Sequence, residues 1–177
     1  FWKNGAFESD RAKFLTHDYI PENHRGSFIQ TFDDYVDLVQ SKHNSLQKYQ
    51  PYLFPKPYSG DVLNAEVLVL LRNPSFNHID VKYELDLPQY RELLRSNLKQ
   101  DLGFNFALNP KFCWTPDFAW WEPRLRKLAE YIQSHSDRSY GEALMLLATK
   151  VAFVELEAYR SISGINLSTK TASIDAV

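Results

Sequence analysis

Apolar and polar positions along the chain fall into a few clear blocks. Val67 to Leu71 is an unbroken apolar run with no polar alternation. Such a run predicts a strand covered on both faces, at the centre of a helix-flanked parallel sheet. Arg72, Asn73, Pro74 and Ser75 end it abruptly, because proline cannot donate to a sheet ladder. A second apolar run, Val151 to Leu156, contains two β-branched residues and a phenylalanine and predicts a second strand. Helical spacing appears in four places. Phe32, Tyr35, Val36, Val39, Leu46 and Tyr49 predict a helix over 32–48, with Thr31 and Asp34 as a capping box. Tyr90, Leu94, Leu98 and Leu102 predict a second over 88–102, opened by Pro88 and stopped by Gly103. Leu125, Leu128, Ala129 and Ile132 predict a third over 123–132, and Ala143, Leu144, Leu147 and Ala148 a fourth over 140–149.

Between these blocks lie less regular stretches. Phe14, Tyr19 and Ile20 anchor a short strand or arm that Pro21 breaks. Residues 51–60 carry three prolines and a glycine and predict an extended linker, packed down by Tyr52, Phe54 and Tyr58. Residues 104–121 are too aromatic for a solvated loop and predict a folded-over insertion, with a weak strand candidate near Phe112. Ser168 reads as the N-cap of a last helix. The order of elements predicts one α/β domain over 1–177, a three-layer α/β/α architecture with a central parallel sheet. Such a sheet usually has four or more strands. The intact protein is therefore expected to continue past Val177 with at least one more.

Composition narrows the classes. The hydrophobic share of 44% and the aromatic share of 15% mark a folding chain rather than a disordered one. A net charge of -2 argues against a broadly basic surface for polyanions. Cys113 is the one cysteine, so no intrachain disulfide forms, and no apolar run reaches the roughly 18 residues of a membrane span. A cytoplasmic protein with no membrane partner is the expectation. Oligomeric state has no signature in the sequence.

The chemistry is less explicit. No phosphate loop, spaced-glycine fingerprint, paired-cysteine site or His-Glu-x-x-His run occurs. His43 reads as a partly buried structural histidine. His78 and Asp80 supply too few ligands for a metal and read as a solvated loop. No metal and no cofactor are expected. Cys113, among aromatics, reads as core. Trp120 and Trp121 read as core packing beneath the third helix, and Arg124, Arg126 and Lys127 as its solvated face. In open α/β sheets ligands sit beyond the carboxyl ends of strands. That rule selects Asn73 to Asn77 after the first run, and Glu155, Glu157, Tyr159, Arg160 and Ser161 at the end of the second.

The order Pro-Lys-Pro-Tyr-Ser-Gly-Asp (55–61), Ala65-Glu66-Val67 and Leu-Leu-Arg-Asn-Pro-Ser-Phe (70–76) resembles the opening of uracil-DNA glycosylase-like proteins. Val-Glu-Leu-Glu-Ala-Tyr-Arg-Ser (154–161) is similar to a second-strand segment of less studied members, and the resemblance covers residues 50–165. It implies a DNA partner and hydrolysis of the N-glycosidic bond of a base, modified or not. Asn73 then matches the asparagine that positions the attacking water. Pro74, Ser75 and Phe76 line the base site, with Phe76 placed to stack on the base. The resemblance also implies that Tyr159 or Glu155 reads a base edge, with Arg160 among the substrate-binding residues. Two departures stand out: Ser75 replaces the family's glycine, and Arg72 holds a position usually apolar or small. The family's C-terminal His-Pro-Ser turn is absent from residues 1–177. A second reading keeps the fold without the reaction, as a binding or interaction module.

Overall fold

The computed structural model describes residues 20, 22–26, 29–41, 47–50 and 52–162. Phe14, Tyr19, Pro21, His43, Leu46 and the helix expected from Ser168 lie outside them. The element order is α1 (Phe32–Gln40), β1 (Tyr58–Ser59), β2 (Val67–Leu71), α2 (His78–Asp86), α3 (Pro88–Leu98), α4 (Pro116–Ser134), α5 (Tyr140–Lys150) and β3 (Val151–Glu155). Helices thus combine with a small mixed sheet, an α/β arrangement. Among the described residues the sheet has three strands in the order β1-β3-β2. β2 pairs parallel with β3, Val69 opposite Phe153, and β1 pairs antiparallel.

Both apolar runs form the expected strands, but they exchange roles. β3 is the central strand and is buried from Val151 to Val154. β2 lies at the edge, where Val67, Leu68 and Leu70 are 50%, 51% and 64% exposed. The expectation that β2 is covered on both faces is therefore corrected. An apolar run reports that burial would be favourable, and neighbouring strands and helices decide which run receives it. Val69 and Leu71 do face inward with Val151 and Phe153, onto the cluster that Leu144, Leu147 and Ala148 of α5 form with Ala129 and Leu125 of α4.

The helices show which local signals held. The Thr31–Asp34 capping box opens α1, and Ser139 with Glu142 makes a second one at α5. α3 begins at Pro88 as expected, but stops at Leu98, where Gln100 takes φ 61° before Gly103 is reached. The third predicted helix begins earlier than its proline suggests. Thr115 caps it through the Phe118 N–H, Pro116 fills the first turn, and Pro123 lies inside. Pro123 stands in the helix interior, where it forgoes the N–H donor to the Ala119 carbonyl and its ring crowds that carbonyl, at a cost of about 3 kcal/mol. Trp120 and Trp121 are consequently helical residues, not part of an insertion. Phe112 closes a 3-10 turn, not a strand, and stacks on Phe104 at 5.8 Å. Cys113, the cap residue that ends this turn, is exposed rather than in the core.

One helix has no counterpart in the sequence pattern. α2 follows the strand turn directly, with Asn77 as N-cap accepting from the Ile79 and Asp80 N–H groups. Its apolar residues alternate, Ile79, Val81, Tyr83 and Leu85, as in a strand. Its buried positions are Asp80, Val81 and Glu84. An inward face built on two carboxylates is invisible to a search for apolar spacing. His78 and Asp80 therefore stand in the first turn of a helix, not in a solvated loop.

Candidate functional site

Two strand ends and an extended arm meet at one place. Past β2 and β3 the ladder continues, with the Leu156 N–H donating to Leu71 O and the Glu157 N–H to Arg72 O, both at 2.9 Å. On the other side of β3 the arm over 52–59 runs alongside, fixed by Glu155 N–H donating to Pro57 O and Lys56 N–H to Ala158 O, both at 2.8 Å. Hydrogen-bonded backbone on both sides thus fixes where Asn73, Glu155 and Lys56 project.

These residues open onto a cavity of about 660 Å³, within the usual range for a small-molecule site. Its apolar wall includes Val69, Leu71, Phe153 and Trp121, the Trp121 ring lying on Phe153 at 3.6 Å and 15°. Polar groups converge from four elements: Asn73 and Ser75, on either side of Pro74, after β2, Glu155 ending β3, His78 and Asp80 of α2, and Asp117 of α4. Trp120 and Arg124 also line it. Trp120 is 51% exposed, so of the two tryptophans only Trp121 packs inward as expected.

Asn73 is held at one end. Its Nδ2 donates to Ser161 Oγ at 3.1 Å and to Pro74 O at 3.2 Å. Its Oδ1 accepts no hydrogen bond among the described residues, so the amide has a fixed orientation and an acceptor to spare. Glu155 has its Oε2 buried without a hydrogen-bond partner among the described residues. Burial pushes its carboxyl up to about 8, against the pull of Lys56. At neutral pH Glu155 holds its proton and can donate it. Burial also raises Asp80, opposed by Lys56, Arg160 and the Asn77 amide. Burial pushes Asp117 the same way, yet the Lys56 ammonium at 2.6 Å and the Tyr90 hydroxyl hold it below its usual value. The cavity therefore contains one ionised carboxylate paired with lysine and two carboxyls displaced toward their neutral forms.

The remaining residues selected from the sequence do not line the cavity. Phe76 is buried under α1, edge-on to Tyr35 at 5.6 Å. Tyr159 is buried against Tyr49 at 6.0 Å. Arg160 is wholly buried with Nη2 2.7 Å from Glu84 Oε2, a close ion pair whose N–H groups are not aligned as hydrogen bonds. Its role is beneath the site: it joins the segment after β3 to the inner face of α2. The structure adds Lys56, Asp80, Asp117, Trp120 and Arg124 to the cavity. Asp80 lies near Asn73 in sequence, Trp120 and Arg124 belong to the aromatic cluster and basic run that read as core packing and a solvated face, and nothing local marked Lys56 or Asp117. Among the described residues no three His, Cys, Asp or Glu side chains cluster as metal ligands, and no helix is long and apolar enough to cross a membrane. Comparison of the chain with family models, curated proteins and solved structures found no match.

Proposed function

We propose that the cavity receives a base extruded from DNA and that the chain hydrolyses its N-glycosidic bond, the activity implied by the resemblance to uracil-DNA glycosylase-like proteins. One observation carries this reading: Asn73 and Glu155, from the ends of two adjacent parallel strands, share one cavity with an aromatic wall. An amide is a poor base but orients a water through its oxygen, and Asn73 has that oxygen uncommitted. Water adds to the sugar carbon as the bond to the base breaks, and the bonding pair leaves with the base. The water's proton passes to solvent. Glu155, protonated at neutral pH, offers its proton to the departing base, so positioning and stabilisation of the leaving group supply the rate. The same reading takes β2 and β3 as the parallel pair of a three-layer α/β/α domain.

A silent binding module is favoured by one detail: the Asn73 amide N–H groups also latch the β2 turn to Ser161, a structural use that needs no reaction. Single-turnover base release separates the two. Parent protein is incubated in excess over a panel of modified duplexes and single strands. Release of a free base from at least one substrate is expected, and release from none removes the enzyme reading.

A further inference from the structure

The mouth of the cavity carries a group that the hydrolytic reading does not use. Trp120 and Arg124 stand one turn apart on α4, and both line the cavity. The Arg124 guanidinium lies over the Trp120 ring, 3.4 Å from its centroid, and donates through Nη1 to the Trp120 backbone oxygen. Arg124 is exposed. Next in sequence, Trp121 is turned inward onto Phe153. The guanidinium covers one face of the half-exposed indole, so the surface beside the opening joins a planar cation to the remaining exposed part of the ring.

We propose that Trp120 and Arg124 receive an unpaired stretch of DNA at the cavity mouth: Trp120 stacks the nucleotide beside the one in the cavity, and Arg124 meets a phosphate. This rests on the reading that the cavity takes a DNA base. Charge selects a single strand over a duplex. The chain's formal charge is -2, and the cavity sets Lys56, already paired to Asp117, with Arg72 and Arg124 against Asp80 and Asp117. Such a surface gains little from releasing the dense counterions of a duplex. Stacking, which every base permits, is the larger source of affinity. An already unpaired base also spares the cost of extrusion.

The test is binding of the 1–177 chain to an oligothymidylate of about 15 nucleotides and to the same length of duplex, followed by anisotropy, beside base release by the same protein. Parent should prefer the single strand. Trp120→Ala should weaken that binding about tenfold and Trp120→Phe by no more than about threefold, since an aromatic face remains. Arg124→Ala should make the salt dependence shallower by about 0.7 in log–log slope, one phosphate contact on a single strand. Unchanged melting temperatures show that the variants are folded. Equal affinity for duplex and single strand, no binding to either, or Trp120→Ala binding as parent does would each overturn the platform. Binding that behaves as expected without base release from any substrate leaves the platform standing and removes hydrolysis; base release by parent with Trp120→Ala binding unchanged does the reverse.

Discussion

β2 and β3 are both five-residue apolar strands in continuous parallel register, yet they hold opposite positions. β3 is covered on both sides and runs on into Tyr159, Arg160 and Ser161, all buried. β2 is an edge whose outer side chains face solvent, and it runs on into Asn73, Pro74 and Ser75, which border the cavity. The site is therefore made from one end fixed by a buried polar network and one end held by a turn. Perturbing the β3 side should cost stability first, and perturbing the turn should cost chemistry first.

The largest effect belongs to the β3 side. Arg160→Ala leaves Glu84 buried and charged without its partner, and breaking such a pair costs about 3–5 kcal/mol. Replacing Arg160 and Glu84 together by Met and Leu should cost much less, since no isolated charge remains. Denaturant midpoints of the three variants measure this. A single variant as stable as the parent would show that Arg160 does not anchor the segment.

Next is Asn73, on the β2 side. Asn73→Ala should slow base release by two orders of magnitude or more, about 3 kcal/mol of barrier, while DNA binding changes little. The lost bond to Ser161 should cost only about 1 kcal/mol of stability. If affinity falls and the rate does not, the residue serves binding and the comparison between the two ends loses its chemical half.

Glu155 sharpens the comparison through pH. Its folded value of about 8 lies above the ordinary carboxyl value. The group therefore contributes stability that is fully present below the ordinary carboxyl range and is lost as pH rises toward about 8. The raised Asp80 and Glu84 act in the same sense. Parent stability should fall as pH rises through this window, and Glu155→Gln should flatten part of the fall. On the proposed reaction, Glu155→Gln should also remove the fall in rate near pH 8. A parent profile already flat between about pH 5 and 8 would show that Glu155 is not held neutral.

What the sequence disclosed follows from the kind of burial involved. β3, α5 and the caps of α1 were legible because their buried faces are apolar and their ends carry side-chain oxygens at fixed spacing. α2 was not, because it buries Asp80 and Glu84, whose partners are its own cap residue Asn77 and, from distant parts of the chain, Phe54 and Arg160. Of the candidate site, Asn73, Pro74, Ser75 and Glu155 were found because strand ends are marked by a proline and by the end of an apolar run. Phe76, Tyr159 and Arg160 were drawn in with them, since a strand end does not reveal which way each following side chain turns. Trp120 and Trp121 are adjacent, and only the helical frame set by Thr115 and Pro116 sends one outward and one onto Phe153.

The smallest effect tests the edge itself. Leu70 is 64% exposed on β2, directly opposite buried Val154 of β3. With its side chain in water in the folded protein, truncation removes little burial, and Leu70→Ala should change stability by no more than about 0.5 kcal/mol. Val154→Ala, one strand inward, removes two buried methyl groups from a closed site and should cost about 1.5–3 kcal/mol. Chemical denaturation of both variants gives the ratio directly. A Leu70→Ala cost of about 2 kcal/mol or more would mean that this strand face is buried in solution, so that β2 is covered on its outer side as an apolar run of this kind predicts. Amide exchange at Leu68 and Leu70 gives a second readout. Their protection should fall below that of Ala152 and Val154, whose strand is flanked on both sides. Equal protection in the two strands would give β2 and β3 the same standing in the sheet, and the distinction between a stabilising end and a reactive end would then have to come from the turns alone.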